Sequence, residues 1–156
     1  MSNDFNIVLY EPQIPQNTGN IARLCACTGS NLYLVGKLGF EITDKHVKRA
    51  GLDYWEFVNI QQVETLEELQ NKFPENNFYY LSTKASKKYS EIAYKKGDFI
   101  VFGSETTGLP EKIILNNPEN ALTIPMKDNR RSLNLSNSAS IVLYEALRQN
   151  NYFINA

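Results

Sequence analysis

Apolar residues in this chain gather into short, nearly unbroken runs separated by longer amphipathic stretches. FNIVLY (5–10), LYLVG (32–36), FYYLS (78–82), DFIVFG (98–103) and ALTIP (121–125) are rich in branched and aromatic residues and are bounded by turn formers, which is the pattern of strands. They are apolar at nearly every position, so both faces of each strand are expected to be covered, and the sheet to be largely parallel. Helical spacing fills the intervals. Residues 18–28 set Ile21, Leu24, Cys25 and Thr28 along one face. Thr65 and Glu68 form a T-x-x-E start for a helix over about 65–73. Pro110 suits the first turn of a short helix through Leu115. A last helix over about 137–149 carries Ile141, Val142, Ala146 and Leu147, with Arg148 near its C-terminal end. The alternation predicts a three-layer α/β fold, a mostly parallel sheet flanked by helices. No repeat, linker or low-complexity tract interrupts it, so residues 1–156 are read as a single domain.

Composition agrees with this. At 156 residues, 42% apolar and 21% charged, the chain is long enough to bury a core without a metal or disulfide staple. No run of about 18 apolar residues exists, so no membrane span is expected. The start, MSNDFNIVLYEPQ, has an acid where a signal peptide would be basic. A cytoplasmic location follows as the expectation. Cys25, Cys27 and the lone histidine, His46, do not make a metal site of the usual kind. The two cysteines are expected to be reduced packing residues on different faces of a helix. His46 reads as a surface residue or an RNA contact.

Charge changes the picture locally. The net charge is −1, which excludes a generally basic nucleic-acid binder. Yet five lysines (84, 87, 88, 95, 96) stand against Glu91 between positions 84 and 96, and four glutamates against Lys72 between 64 and 77. Lys45, Lys48 and Arg49 form a second basic group, and Lys127, Arg130 and Arg131 a third. Patches of this kind suit a polyanion gripped at one face, although each could also be a solvated loop. Lys45, Arg49, Lys84, Lys87 and Lys88 are the candidate phosphate contacts.

Three segments hold more Gly, Pro, Asn and Ser than a connector needs. EPQIPQNTGNIAR (11–23) leaves the first strand and enters a helix. Two prolines stiffen it, and Asn17 and Arg23 could converge on one point. FGSETTGLP (102–110) follows an apolar strand, and ligands of open α/β sheets bind outside the carboxyl ends of strands. Glu105 is the ionisable group in that loop. It is neither a dinucleotide fingerprint nor a phosphate-binding P-loop. In the third segment, IPMKDNRRSLNLSNSASIVLYEALRQ (124–149), Ser136, Asn137 or Ser138 is expected to cap the last helix. That leaves Arg131, Ser132 and Asn134 unaccounted for.

In this order, N-x-G-N-x-A-R, F-G-x-E-x-x-G-L-P and I-P-M…R-S-L-N-L-S-N-S-A-S closely resemble the three motifs of the SPOUT methyltransferases, in their tRNA 2′-O-ribose methyltransferase branch. LYEPQIPQNTGN and RAGLDYW (49–55) resemble more specifically the subgroup acting on the wobble nucleotide, position 34. The resemblance spans essentially the whole chain. It implies a C-terminal trefoil knot, which nothing in the periodicity shows, a homodimer, and S-adenosylmethionine as cofactor. It implies a cofactor pocket of Leu81, Gly103, Ile124 and Ser132, with Leu81 and Ile124 sandwiching adenine, and a polar catalytic set of Asn17, Arg23, Glu105, Ser132 and Asn134. Arg23 is expected beside the ribose hydroxyl, contributed by the opposite subunit, either as the base or as an orienting cation, with Asn17 holding it. No metal is implied. The partner would be the tRNA anticodon loop. Competing readings are a 2′-O-methyltransferase acting on ribosomal RNA and a non-catalytic SAM- or RNA-binding assembly factor.

Overall fold

A computed structural model describes residues 5–43, 45–50, 57–127 and 131–153. The elements run β1 (Asn6–Tyr10), α1 (Pro15–Thr28), β2 (Asn31–Val35), α2 (Lys45–Ala50), β3 (Ile60–Val63), α3 (Leu66–Lys72), β4 (Phe78–Leu81), β5 (Lys87–Lys88), β6 (Phe99–Phe102), α4 (Glu111–Asn116), β7 (Ala121–Thr123) and α5 (Leu135–Gln149). The strands form one sheet in the order β3-β2-β1-β6-β4-β7-β5, and every pairing within it is parallel. All five apolar runs became strands.

The pleat divides each run between two cores. Ile7 and Leu9 of β1, Leu32 and Leu34 of β2, Tyr79 and Leu81 of β4, and Ile100 and Phe102 of β6 face the layer of α1 and α5. Their alternates, Val8, Tyr33, Val35, Phe78, Tyr80, Phe99 and Val101, face α3 and α4. The second core holds a stacked aromatic pair, Phe78–Phe99, with centroids 4.4 Å apart. Both sheet faces are therefore dry, which is why the runs show no alternation.

Three elements had no signature in the pattern. β3 reads Ile-Gln-Gln-Val and β5 is two lysines. Both are edge strands of the described sheet, where one side of the strand needs no partner. α2, KHVKRA, buries Val47 against a polar background.

Helix starts bring corrections at α5, α1 and α4, the last beginning at Glu111 with Pro110 as its N-cap and not in its first turn. Thr65 caps α3 as expected, accepting from Glu68 N at 3.0 Å. α5 is capped by Asn134, not by Ser136, Asn137 or Ser138, and starts at Leu135. Three capable side chains in a row hid the residue whose side-chain oxygen accepts from the Ser136 and Asn137 N–H groups. α1 begins at Pro15, three residues before the expected start, with proline in the first turn. Cys25 is buried and Cys27 exposed, so they do face different ways. Burial pushes the Cys25 thiol up. His46 is exposed on α2. No described helix is long and apolar enough to cross a membrane.

Candidate active site

The carboxyl ends of β6, β4 and β7 lie side by side, so the loops that leave them share one space. A cavity of about 470 Å³ opens there, within the range of small-molecule and cofactor sites. Leu81 and Lys84 enter from the β4 exit, Gly103 and Glu105 from the β6 exit, Ile124 and Met126 from the β7 exit, and Ser132 and Asn134 from the segment before α5. All four expected cofactor residues, Leu81, Gly103, Ile124 and Ser132, line it.

The β6 loop is tightly folded. An ideal Cβ on Gly103 would stand 2.1 Å from the Gly108 carbonyl carbon and 2.2 Å from the Leu109 nitrogen. Only glycine lets the loop double back this closely. Gly108 takes the left-handed φ of 70° that closes the turn, its N–H donating to Ser104 O at 3.0 Å. Ser104 Oγ and Thr107 Oγ1, 2.7 Å apart, pin the loop from inside.

Three members of the expected polar set form one hydrogen-bonded row. Asn134 Nδ2 donates to Asn17 Oδ1 at 3.2 Å, and Asn17 Nδ2 donates to Glu105 Oε2 at 3.1 Å. The Glu105 carboxylate also receives the backbone N–H groups of Gln13 at 2.8 Å and Ile14 at 3.0 Å. β1 and β6 are neighbours, with Leu9 opposite Phe102, so the loops leaving them meet. Asn17 is buried, whereas Arg23, six residues further along α1, is exposed on the outer face of that helix. Arg23 is not among the residues lining the cavity.

The motif reading passed over several wall residues. Lys84 and Glu111 meet at 3.3 Å across the rim as an exposed ion pair, and the exposed side chains of Ile14 and Leu133 also line the cavity. The rule that ligands collect at strand ends reaches Lys84 as readily as Leu81, but nothing local to Ile14 or Glu111 marks them. Among the candidate phosphate contacts, Lys84 is exposed in the connection from β4 to β5, Lys87 and Lys88 are exposed on the edge strand β5, and Lys45 and Arg49 are exposed on α2. Lys87 Nζ donates to Glu119 O at 2.9 Å. Residues 51–55 of RAGLDYW and Arg130 lie outside the described residues. No His/Cys/Asp/Glu group among the described residues could hold a metal.

Comparison with known proteins decides the family. The pattern of the SpoU rRNA Methylase family matches residues 4–144. The chain belongs to the SpoU methylase family. A tRNA (cytidine(34)-2′-O)-methyltransferase from Methylovorus glucosotrophus is 52% identical over 149 residues, covering 95% of this chain and 97% of its own. A candidate RNA methyltransferase from Bacillus anthracis superposes with a TM-score of 0.89 at 49% identity, covering 96% of both chains. A structure described as giving insight into 2-OH methylation of C/U34 on tRNA has a TM-score of 0.90 at 36% identity, covering 97% of this chain and 99% of its own. These likenesses establish the methyltransferase fold, a mostly parallel sheet with flanking helices.

Proposed function

We propose that this SpoU-family protein transfers a methyl group from S-adenosylmethionine to the ribose 2′-hydroxyl of nucleotide 34 of tRNA, acting as a homodimer. The observation that carries the reading is the cavity at the β6-β4-β7 strand ends, lined by all four residues the motif likeness assigns to the cofactor. The whole-length relative that bears the position-34 activity in its name supplies the substrate. The cavity suits the cofactor chemically. Leu81 and Ile124 offer apolar walls for a flat heterocycle, and the doubled-back loop at Gly103 exposes backbone groups to read its edge. The knotted C-terminal passage of the likeness belongs to this proposal, as does a single catalytic domain.

When bound, S-adenosylmethionine supplies a methyl group already activated by its sulfonium. The chain's own task is to make a poor alcohol nucleophile competent. Arg23 of a second copy orients the hydroxyl and stabilises its developing negative charge. A guanidinium stays protonated in proteins, so the proton departs through a phosphate or water instead. Ser132 and Asn134 align cofactor and ribose. Proximity and fixed dipoles then carry most of the rate.

Support for the dimer comes from the outer layer. α1 and α5 pack together, and each carries an exposed stripe at helical spacing: Gln16, Asn20, Arg23 and Cys27 on one, Asn137, Ile141, Tyr144 and Arg148 on the other. Ile141 and Tyr144 are 36% and 42% exposed and give the α5 stripe an apolar, aromatic centre. Further along the tail, Tyr152 is also exposed. Leu147 is spent in the core and Phe153 stacks on Phe5. Lys45, Arg49, Lys84, Lys87 and Lys88 grip RNA phosphates in this reading.

The deciding experiment is incubation with methyl-labelled cofactor and tRNA from a strain lacking the gene, followed by nucleoside mapping. Label on the ribose of nucleotide 34 is the expected result. Label confined to ribosomal RNA offered in parallel, or no transfer to either, would defeat the proposal.

A further inference from the structure

The row joining Asn134, Asn17 and Glu105 has a fixed direction, set by the start of α5. Asn134 Oδ1 accepts from Ser136 N at 2.9 Å, from Asn137 N at 3.2 Å and from Ser136 Oγ at 2.6 Å. Only the oxygen end of an amide can accept, so the Asn134 nitrogen must point away from the helix, toward Asn17. The Asn17 amide is then forced as well. Its oxygen faces the Asn134 donor and its nitrogen faces Glu105. The last member receives three donors, the Asn17 amide and the Gln13 and Ile14 N–H groups. Those contacts require two oxygens with no donor hydrogen between them, which a carboxylate provides and a carboxamide does not.

What the row holds together is equally specific. Ile14 is the N-cap of α1 and has no side-chain oxygen to cap it. Glu105 brings a carboxylate to that helix start from the cavity loop, where negative charge is favoured. One chain of contacts thus links the β6 loop, the start of α1 and the start of α5, all three of which wall the cavity. Arg23 rides on α1, six residues after Asn17.

We propose that Glu105 is a positioning residue and not a proton carrier: its carboxylate terminates a one-way amide relay that locks the start of α1, and with it Arg23, to the cofactor loop. This rests on the methyl-transfer reading. Failure of the wild-type protein to transfer methyl groups would sink that reading, whereas the behaviour of variants measured against an active wild type tests only the relay.

The test is a charge exchange along the row. Glu105→Gln sets an amide nitrogen against the Asn17 amide nitrogen, donor to donor. Asn17→Asp sets a carboxylate against a carboxylate. Each single variant is expected to lower kcat at least about tenfold, the scale of one unsatisfied buried partner, with a smaller change in KM for the cofactor. In the double variant the carboxylate moves to position 17, where it accepts from both Asn134 and the carboxamide introduced at position 105, and only the Ile14 N–H, which shares Glu105 Oε2 with Asn17, is left facing a donor. Turnover should recover several-fold above either single variant, a coupling that independent sites do not show. The remaining activity of Glu105→Gln should keep the wild-type pH profile. Asn134→Asp guards against a trivial loss of folding, since aspartate caps a helix as well as asparagine but has no hydrogen to give Asn17. It should melt at or above the wild-type temperature while turnover falls. A double variant no better than the worse single one, a pH profile that loses a limb in Glu105→Gln, or full turnover in Asn134→Asp would overturn the relay.

Discussion

Two single positions carry the sharpest expectations, for different reasons. Arg23 is expected to act through a planar, permanently charged fork that a lysine cannot reproduce. Arg23→Lys should lose at least about 100-fold in turnover, the scale of one lost oxyanion donor, while calorimetry shows nearly unchanged cofactor affinity. Near-normal single-turnover rates in Arg23→Ala would remove Arg23 from the reaction. Gly103 acts through space it leaves empty. Since a Cβ there would fall 2.1 Å from main-chain carbon, even Gly103→Ala must reopen the loop that walls the cavity. Binding of S-adenosylmethionine should disappear from a variant that remains folded by circular dichroism, and retained affinity would show that the loop does not shape the pocket. The glycine was legible from sequence as a pocket residue at a strand end. That its close approach is to its own loop, Gly108 and Leu109, required the fold.

At the scale of elements, legibility followed burial. β1, β2, β4, β6 and β7 were readable because both of their faces are dry, whereas β3 and β5 have one neighbour each and keep polar residues such as Gln61, Gln62, Lys87 and Lys88. A second ordering principle has no hydrophobic signature at all. The amino ends of the strands carry Asn59, Asn31, Asn6, Asp98, Asn77 and Asn120, and their amides bridge strand to strand. Asn31 Nδ2 donates to Asn6 Oδ1 at 2.9 Å, Asn6 Nδ2 to Gly97 O at 3.1 Å, and Asn77 Nδ2 to Asp98 Oδ1 at 3.1 Å. Asp98 is the acid in this row. Burial raises its carboxyl above the ordinary aspartate range, and the Lys95 N–H and the Asn77 amide offset that only in part. The folded chain therefore keeps this proton at a pH where the unfolded chain has released it. Its contribution to stability is complete below the unfolded value and is lost as pH rises through the raised folded value. Asp98→Asn, with the Asn77 amide turned over to accept, lacks this dependence. Urea midpoints should favour the variant over wild type increasingly as pH rises from the aspartate range to neutrality. A gap that is constant with pH would mean that Asp98 titrates normally.

The whole molecule raises the question that no single chain answers, because Arg23 lies on the outer face of α1 while the cavity lies at the strand ends. If the working site combines the cavity of one chain with Arg23 of another, two chains defective in different halves should repair each other. Arg23→Ala keeps the cavity and loses the guanidinium. Ile124→Arg keeps the guanidinium and fills the cavity with a cation that repels a sulfonium ligand. Each homodimer should be inactive. In a mixed dimer, the cavity of the first chain faces Arg23 of the second, and one of its two sites is whole. With equal, statistical mixing, half the dimers are mixed, so activity should return to about a quarter of wild type for a closed two-fold assembly. The return should depend on assembly. Tyr144→Glu adds a charge to the exposed stripe of α5 without touching the core, and in both chains it should abolish the complementation and yield monomers by light scattering. If instead Arg23 served the cavity of its own chain, a mixed dimer would contain no intact site. The mixture would then stay as inactive as its parts, and a Tyr144→Glu monomer would retain turnover.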